Sequence, residues 1–266
     1  MRSLLVLLLL AAPAAAEPVA QAQLPNLVPT NPGGSADIRF DYTNYDVALF
    51  DDLTLVALNA RIQYLAPSGP GGYLSVPFVY ASQNDNTETE VGNLELGGLY
   101  AIRSGPQLDI LLRGGVALDT ASSDGELLVP LGNVLPRLGD YLTTGADSTW
   151  FRLGGQLRYA AGNLRIGGGL GFDLPTEGGD GDPDGYISLA GSIGFEQPGS
   201  FGAGLGLVML QAFGGDDTGE DENLVGLNVM GDVALGPAAR LFLALGVNLE
   251  DEVEGFSFGL GVRFGF

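Results

Sequence analysis

The sequence predicts an all-β chain folded as a transmembrane antiparallel up-and-down β-barrel of 12 strands, with both termini on the periplasmic side. Three observations predict it. The chain opens like an exported protein, it then repeats runs of about ten residues with apolar side chains at every second position, and its connections alternate between short acid-free turns and longer acidic links.

Composition narrows the chemistry before any strand is placed. The 266 residues include 11 basic and 32 acidic ones, a formal net charge of −21, with 43 Gly, no His and no Cys. Every basic residue is Arg. Without His, Cys or Lys there is no imidazole base, thiolate or amine nucleophile, and no imidazole or thiolate metal site, so the chain is not expected to be an enzyme or to carry a cofactor. The negative balance argues against a nucleic-acid partner, because binding to phosphate backbones needs neutralising cations.

In chain order, Arg2, the apolar run Leu4 to Leu10 and the small residues Ala14, Ala15 and Ala16 read as a signal peptide over residues 1–16, cleaved after Ala16. The run is shorter than the roughly 20 residues that a bilayer-spanning helix needs. Residues 17–36 hold Pro18, Pro25, Pro29, Pro32, Gly33 and Gly34 and read as a flexible periplasmic leader. The barrel itself is expected over residues 37–266, with strands at 37–44, 53–65, 73–82, 91–103, 107–119, 149–160, 163–173, 186–196, 201–213, 224–235, 239–250 and 256–266. The last run is the clearest: Phe256, Phe258, Leu260, Val262, Phe264 and Phe266 share one face, and Ser257, Gly259, Gly261, Arg263 and Gly265 the other.

An even strand count returns both ends to one rim. The links after the even-numbered runs are rich in Pro and Gly and free of acids, whereas those after the odd-numbered runs contain most of the acidic residues, so the negative charge gathers on the opposite, extracellular rim. A water-soluble sandwich also alternates, but its loop lengths need not follow strand parity. Outward aromatics fall at both strand ends: Tyr64, Tyr100, Tyr159, Phe195, Phe264 and Phe266 beside the short turns, and Tyr80, Phe151, Phe172, Phe213 and Phe256 beside the long links. Two such girdles fit the two interfaces of a bilayer.

On these residues the chain resembles the bacterial outer-membrane β-barrel proteins, through its signal peptide and the terminal run FSFGLGVRFGF that ends in Phe266. The resemblance implies outer-membrane location and recognition of the last strand by the outer-membrane assembly machinery. Through VGNLELGGLYAIRSG and LRIGGGLGFDLPT the chain is also similar to outer-membrane barrels associated with aromatic-hydrocarbon degradation.

Strand parity turns Arg39, Arg61, Arg103, Arg113, Arg152, Arg158, Arg165, Arg240 and Arg263 inward, together with Asp37, Asp41, Glu95, Asp109, Glu196 and Asp232, which predicts a weakly cationic lumen. Counting back across the short turns pairs Glu95 with Arg113 and Asp232 with Arg240, and sets Arg158 opposite Arg165. Two facing guanidinium groups invite an anion, so Arg158 and Arg165 are candidate solute contacts, with Arg113, Arg152 and Glu95 beside them; the competing reading is that Glu196 on the next strand satisfies the pair. The many inward glycines predict either open lumenal space or tight wall curvature.

Two loops carry further expectations. Within 121–148, Leu128, Leu131, Val134, Leu135 and Leu138 form an apolar stripe, expected to fold into the barrel mouth as a constriction or to lie at the outer interface. The run DGDPDG supplies Asp180, Asp182 and Asp184 at the opening spacing of a calcium loop, but Gly191 stands where that loop places its bidentate Glu, so a solvated acidic turn competes with a calcium site. Two functions follow. One is a passive pore or transporter for small solutes, with outer-membrane lipid around it and, in a narrower form, hydrophobic solutes against inward Tyr73, Met230 and Phe242. The other is a closed structural or surface-interaction barrel whose acidic loops bind divalent cations, surface lipid or partners.

Overall fold

The structure, a computed structural model, describes residues 28–47, 50–83, 86–120, 149–176, 184–214, 223–249 and 253–266. Among them are thirteen strand segments and no helix. β1 (Gly33–Val47), β2 (Phe50–Leu65) and β3 (Pro70–Gln83) are followed by β4 (Asn86–Val91) and β5 (Leu94–Ser104). Then come β6 (Leu108–Leu118), β7 (Trp150–Ala161), β8 (Leu164–Pro175), β9 (Gly185–Gln197), β10 (Phe201–Phe213), β11 (Asn223–Gly236), β12 (Ala239–Asn248) and β13 (Val253–Gly265).

Strands consecutive in sequence pair antiparallel except that β4 and β5 both pair with β3, and β1 pairs with β13, which closes the sheet into a cylinder. The seam ends in a reciprocal pair: the Gly34 N–H donates to the Phe266 carbonyl at 2.7 Å and the Phe266 N–H donates to the Gly34 carbonyl at 2.9 Å. β4 and β5 are two pieces of one barrel strand, so the barrel has 12 strands. β3 meets β4 down to Phe78↔Val91 and meets β5 from Ser75↔Glu95, which sets Gly92, Asn93 and Leu94 against only Val76 and Pro77. The extra residue is a β-bulge; Pro77 has no N–H to give the ladder, and its carbonyl takes the Gly92 N–H at 3.0 Å.

The short turns that the Gly and Pro residues predicted lie where expected. Gly162 adopts a φ of +60° in the two-residue turn between Ala161 and Leu164, a left-handed conformation that other residues rarely adopt. At the other end of the chain β1 begins at Gly33, inside the stretch read from sequence as leader.

Burial is inverted relative to a water-soluble protein. Buried positions include Arg39, Asp41, Arg61, Glu95, Arg152, Asp173 and Arg263, whereas Ile38, Phe40, Leu58, Leu96, Leu153, Leu205, Leu207, Leu243 and Leu260 are exposed. The apolar surface runs around the whole wall, and a closed sheet leaves no backbone edge unpaired, so the solvent that suits this exterior is hydrocarbon. The predicted girdle residues Tyr64, Tyr100, Tyr159, Phe195 and Phe264 at one end, and Phe151, Phe172 and Phe256 at the other, all point outward. No helix among the described residues is long and apolar enough to cross a membrane.

Candidate functional site

The lumen is crossed by side chains rather than left open by its glycines. Tyr73 projects from β3 and donates its hydroxyl to Glu95 on β5 at 2.5 Å. Glu95 also accepts from Arg152 on β7 at 2.7 Å, and the Arg152 Nε donates to Asp173 on β8 at 2.7 Å. The guanidinium of Arg61 on β2 stacks over the Tyr73 ring, 4.3 Å from its centroid. This belt links five strands from β2 to β8, and Arg152, Glu95 and Asp173 are at most 1% exposed.

Glycines seat the large members of that packing. A β-carbon on Gly97 would sit 2.6 Å from the Tyr73 ring, and one on Gly115 would strike the Tyr73 hydroxyl. Gly261 accepts the ring of Phe242 in the same way, and Gly259 accepts Arg39 and Asp41. At these positions the inward glycines are sockets, not water-filled space, because the bulk they lack is supplied from a neighbouring strand.

A second set of ion pairs lies around the seam. Arg263 donates through Nε to Asp37 at 2.5 Å, Arg240 pairs with Asp232, and Arg39 pairs with Asp41 at 2.6 Å. Arg240 and Arg263 stand directly opposite each other on β12 and β13, each held by its own carboxylate.

Residues 28–30 enter the barrel at the short-turn end. The Val28 N–H donates to Gln156 Oε1 at 2.9 Å and the Val28 carbonyl accepts from Gln156 Nε2. Gln63 donates to the Pro29 carbonyl at 3.0 Å, Thr30 donates its hydroxyl to Asp109 at 2.8 Å, and Arg103 donates to the Thr30 carbonyl at 3.0 Å. Val28 packs on the inward cluster Leu65, Tyr73, Leu99, Ala101 and Leu111.

The registers revise two partners expected from sequence. Glu95 faces Ala117, not Arg113, because the turn between β5 and β6 is centred on Pro106; its cation is Arg152. Arg158 faces Gly167 and Arg165 faces Ala160, because the β7–β8 turn consists of Gly162 and Asn163, so the two arginines are displaced rather than opposed. Arg165 donates to Glu196 on β9 at 2.9 Å, the alternative that the sequence left open. Arg158 stands opposite Asp109 on β6. Asp232 and Arg240 are also out of direct register, yet the long Arg side chain spans the diagonal.

Three lumenal residues escaped sequence reading in their roles. Asp173, at the end of the expected strand 163–173 and not counted among the inward carboxylates, is lumenal; extending the alternation of β8 past Gly171 places it on the inner face. Gln156 and Thr30 lack charge and gave no signal of their own. Phe242 and Met230 are buried inward as expected. Leu128, Leu131, Val134, Leu135 and Leu138 lie outside the described residues, as do Asp180 and Asp182, so the constriction and calcium readings have no geometry to report. Asp184 is exposed, and among the described residues no group of three carboxylates converges on a metal position.

No family profile matches the sequence, and no curated protein does. Solved structures do match in shape. An outer membrane channel from Pseudomonas putida F1 superposes with a TM-score of 0.70 at 12% identity, over 91% of this chain and 98% of that one. The NanC porin gives 0.59 at 10% identity over 87% and 100%, and the KdgM porin 0.56 at 11% identity over 86% and 99%. The chain is thus similar in fold to bacterial outer-membrane β-barrels.

Proposed function

We propose that this chain is an outer-membrane channel that passes small solutes passively through a narrow, charged lumen. The observation that carries the reading is the inverted burial: a closed wall with apolar side chains outside surrounds an interior lined by Arg, Asp, Glu, Gln and Ser. Porins and a channel among the structures of like fold support it. Inward guanidinium groups outnumber inward carboxylates even with Asp173 counted, which favours anions over cations. The short turns and both termini then face the periplasm and the acidic links the exterior, with residues 1–16 removed on export. Outer-membrane lipid and the assembly machinery are the partners, and neither a catalytic residue nor a cofactor is called for.

The test is single-channel recording of the purified mature protein in a planar bilayer. The expected result is a small unitary conductance with anion preference, weakened in Arg158→Ala. A second reading, a closed structural barrel using its acidic loops, is favoured by the complete burial of Arg152, Glu95 and Phe242 across the lumen. Correctly folded protein that conducts nothing and releases no solute from vesicles would select that reading instead.

A further inference from the structure

We propose that Arg113 and Ser188 form a lumenal site for the carboxylate of a small organic acid. The proposal rests on the channel reading and names its solute class. Arg39, Arg152, Arg165, Arg240 and Arg263 each hold a carboxylate. Arg61 covers Tyr73, and Arg103 binds the Pro67 and Thr30 carbonyls. Arg113 differs from these: it is inward, half-buried, and has no hydrogen bond or ion pair among the described residues.

Its surroundings form a path along the wall. The registers place Arg113, Gly154, Gly171, Ser188 and Leu210 in one row across β6 to β10. A β-carbon on Gly154 would lie 2.9 Å from the Arg113 Nε. One on Gly171 would lie 3.7 Å from the Arg113 NH2 and would strike the Ser188 hydroxyl. The guanidinium therefore lies across two glycines, and its free edge and a serine O–H converge over the second. A fork of N–H donors beside a hydroxyl matches the two oxygens of a carboxylate.

Position within the barrel limits the ligand further. In the row of side chains toward the long links, Arg152 is already paired with Glu95 and Asp173, whose charges disfavour a further carboxylate there. Toward the short turns, Gln156 is occupied by Val28. Next to Ser188 in the row stands Leu210, which with Val208 is about 2% exposed, so the wall beyond the hydroxyl is already packed. A spherical inorganic anion does not match the planar guanidinium fork and the hydroxyl as the two oxygens of a carboxylate do. The site accordingly suits a small monocarboxylate.

The experiment titrates the full-length mature barrel in detergent micelles with hexanoate, followed by calorimetry and by fluorescence of Trp150, the one tryptophan in the chain, which lies two residues from Arg152 and whose ring packs on Tyr186 at 5.8 Å. Hexanoate is expected to bind saturably, while hexanol and chloride do not compete. Arg113→Ala should weaken binding at least about tenfold, as removal of a charged hydrogen-bonding partner does, whereas Arg165→Ala, whose charge Glu196 already neutralises, should stay within about twofold. Arg113→Gln, which keeps bulk and polarity, carries the same expectation if the Ala variant does not fold. Wild-type protein silent to hexanoate in both readouts, or Arg113→Gln binding as tightly as wild type, would overturn the site. Bilayer recording separates this from the channel reading: a conducting barrel blind to hexanoate removes only the site, and a binding but non-conducting barrel removes only the channel.

Discussion

Arg152 is the residue on which the lumenal belt turns, because it alone holds both Glu95 and Asp173. Deleting one partner of a buried ion pair strands the other charge, so Arg152→Ala should destabilise the folded barrel by about 3–5 kcal/mol. Denaturant unfolding in micelles reads this directly, and the double variant Arg152→Met with Glu95→Leu should recover part of the loss, since it removes both stranded charges of that pair. A socket glycine makes a complementary case. In Gly97→Ala the new β-carbon has to displace the Tyr73 ring and approaches the Gly114 carbonyl, so a loss of about 1–3 kcal/mol is expected although a methyl group is ordinarily innocuous in a strand. The same unfolding measurement on Gly98→Ala, where a β-carbon meets nothing, is the control and should show little change.

Elements were more legible in the sequence than their partners. Alternation assigned each run to the correct face, and Arg39, Arg61, Glu95, Arg152 and Arg263 are inward as parity required. Partners were less legible, because the centre of a turn is ambiguous by a residue or two. A slip that keeps parity leaves every face unchanged and moves every cross-strand contact, which is how Glu95 was matched with Arg113 and Arg158 with Arg165. The bulge at Pro77 was readable in principle, since a proline inside a strand announces a break in the ladder. The entry of residues 28–30 into the lumen was not, because scattered hydrogen bonds to Gln63, Gln156 and Asp109 leave no periodic trace. That segment occupies the lumen at the short-turn end, which yields an element-level prediction. A mature chain shortened to begin at Asn31 should fold and show a unitary conductance about twofold or more above the full chain, because pore-lining bulk sets the current. Equal conductance in planar bilayers would mean that ions pass elsewhere.

At the scale of the whole molecule, the wall answers to two solvents, and a single substitution distinguishes them. Leu207 lies near the middle of β10, is 48% exposed and faces away from the lumen, whereas Val208, its neighbour in sequence, is 2% exposed and faces inward. If lipid tails cover the outer face, Leu207→Arg has to bring a guanidinium into hydrocarbon and should cost about 2–4 kcal/mol in phospholipid vesicles, the penalty for a charge near the bilayer midplane. The same change near the barrel rim, at Phe201, should cost no more than about 1 kcal/mol, since the side chain reaches the interface from there. A soluble sheet would give the opposite order of consequences, because an exposed Leu→Arg change in water is close to neutral or improves solubility. Depth dependence of the penalty along β10, measured by reversible unfolding in vesicles, therefore reads the solvent of the outer face directly, and a flat profile would contradict a membrane-spanning wall.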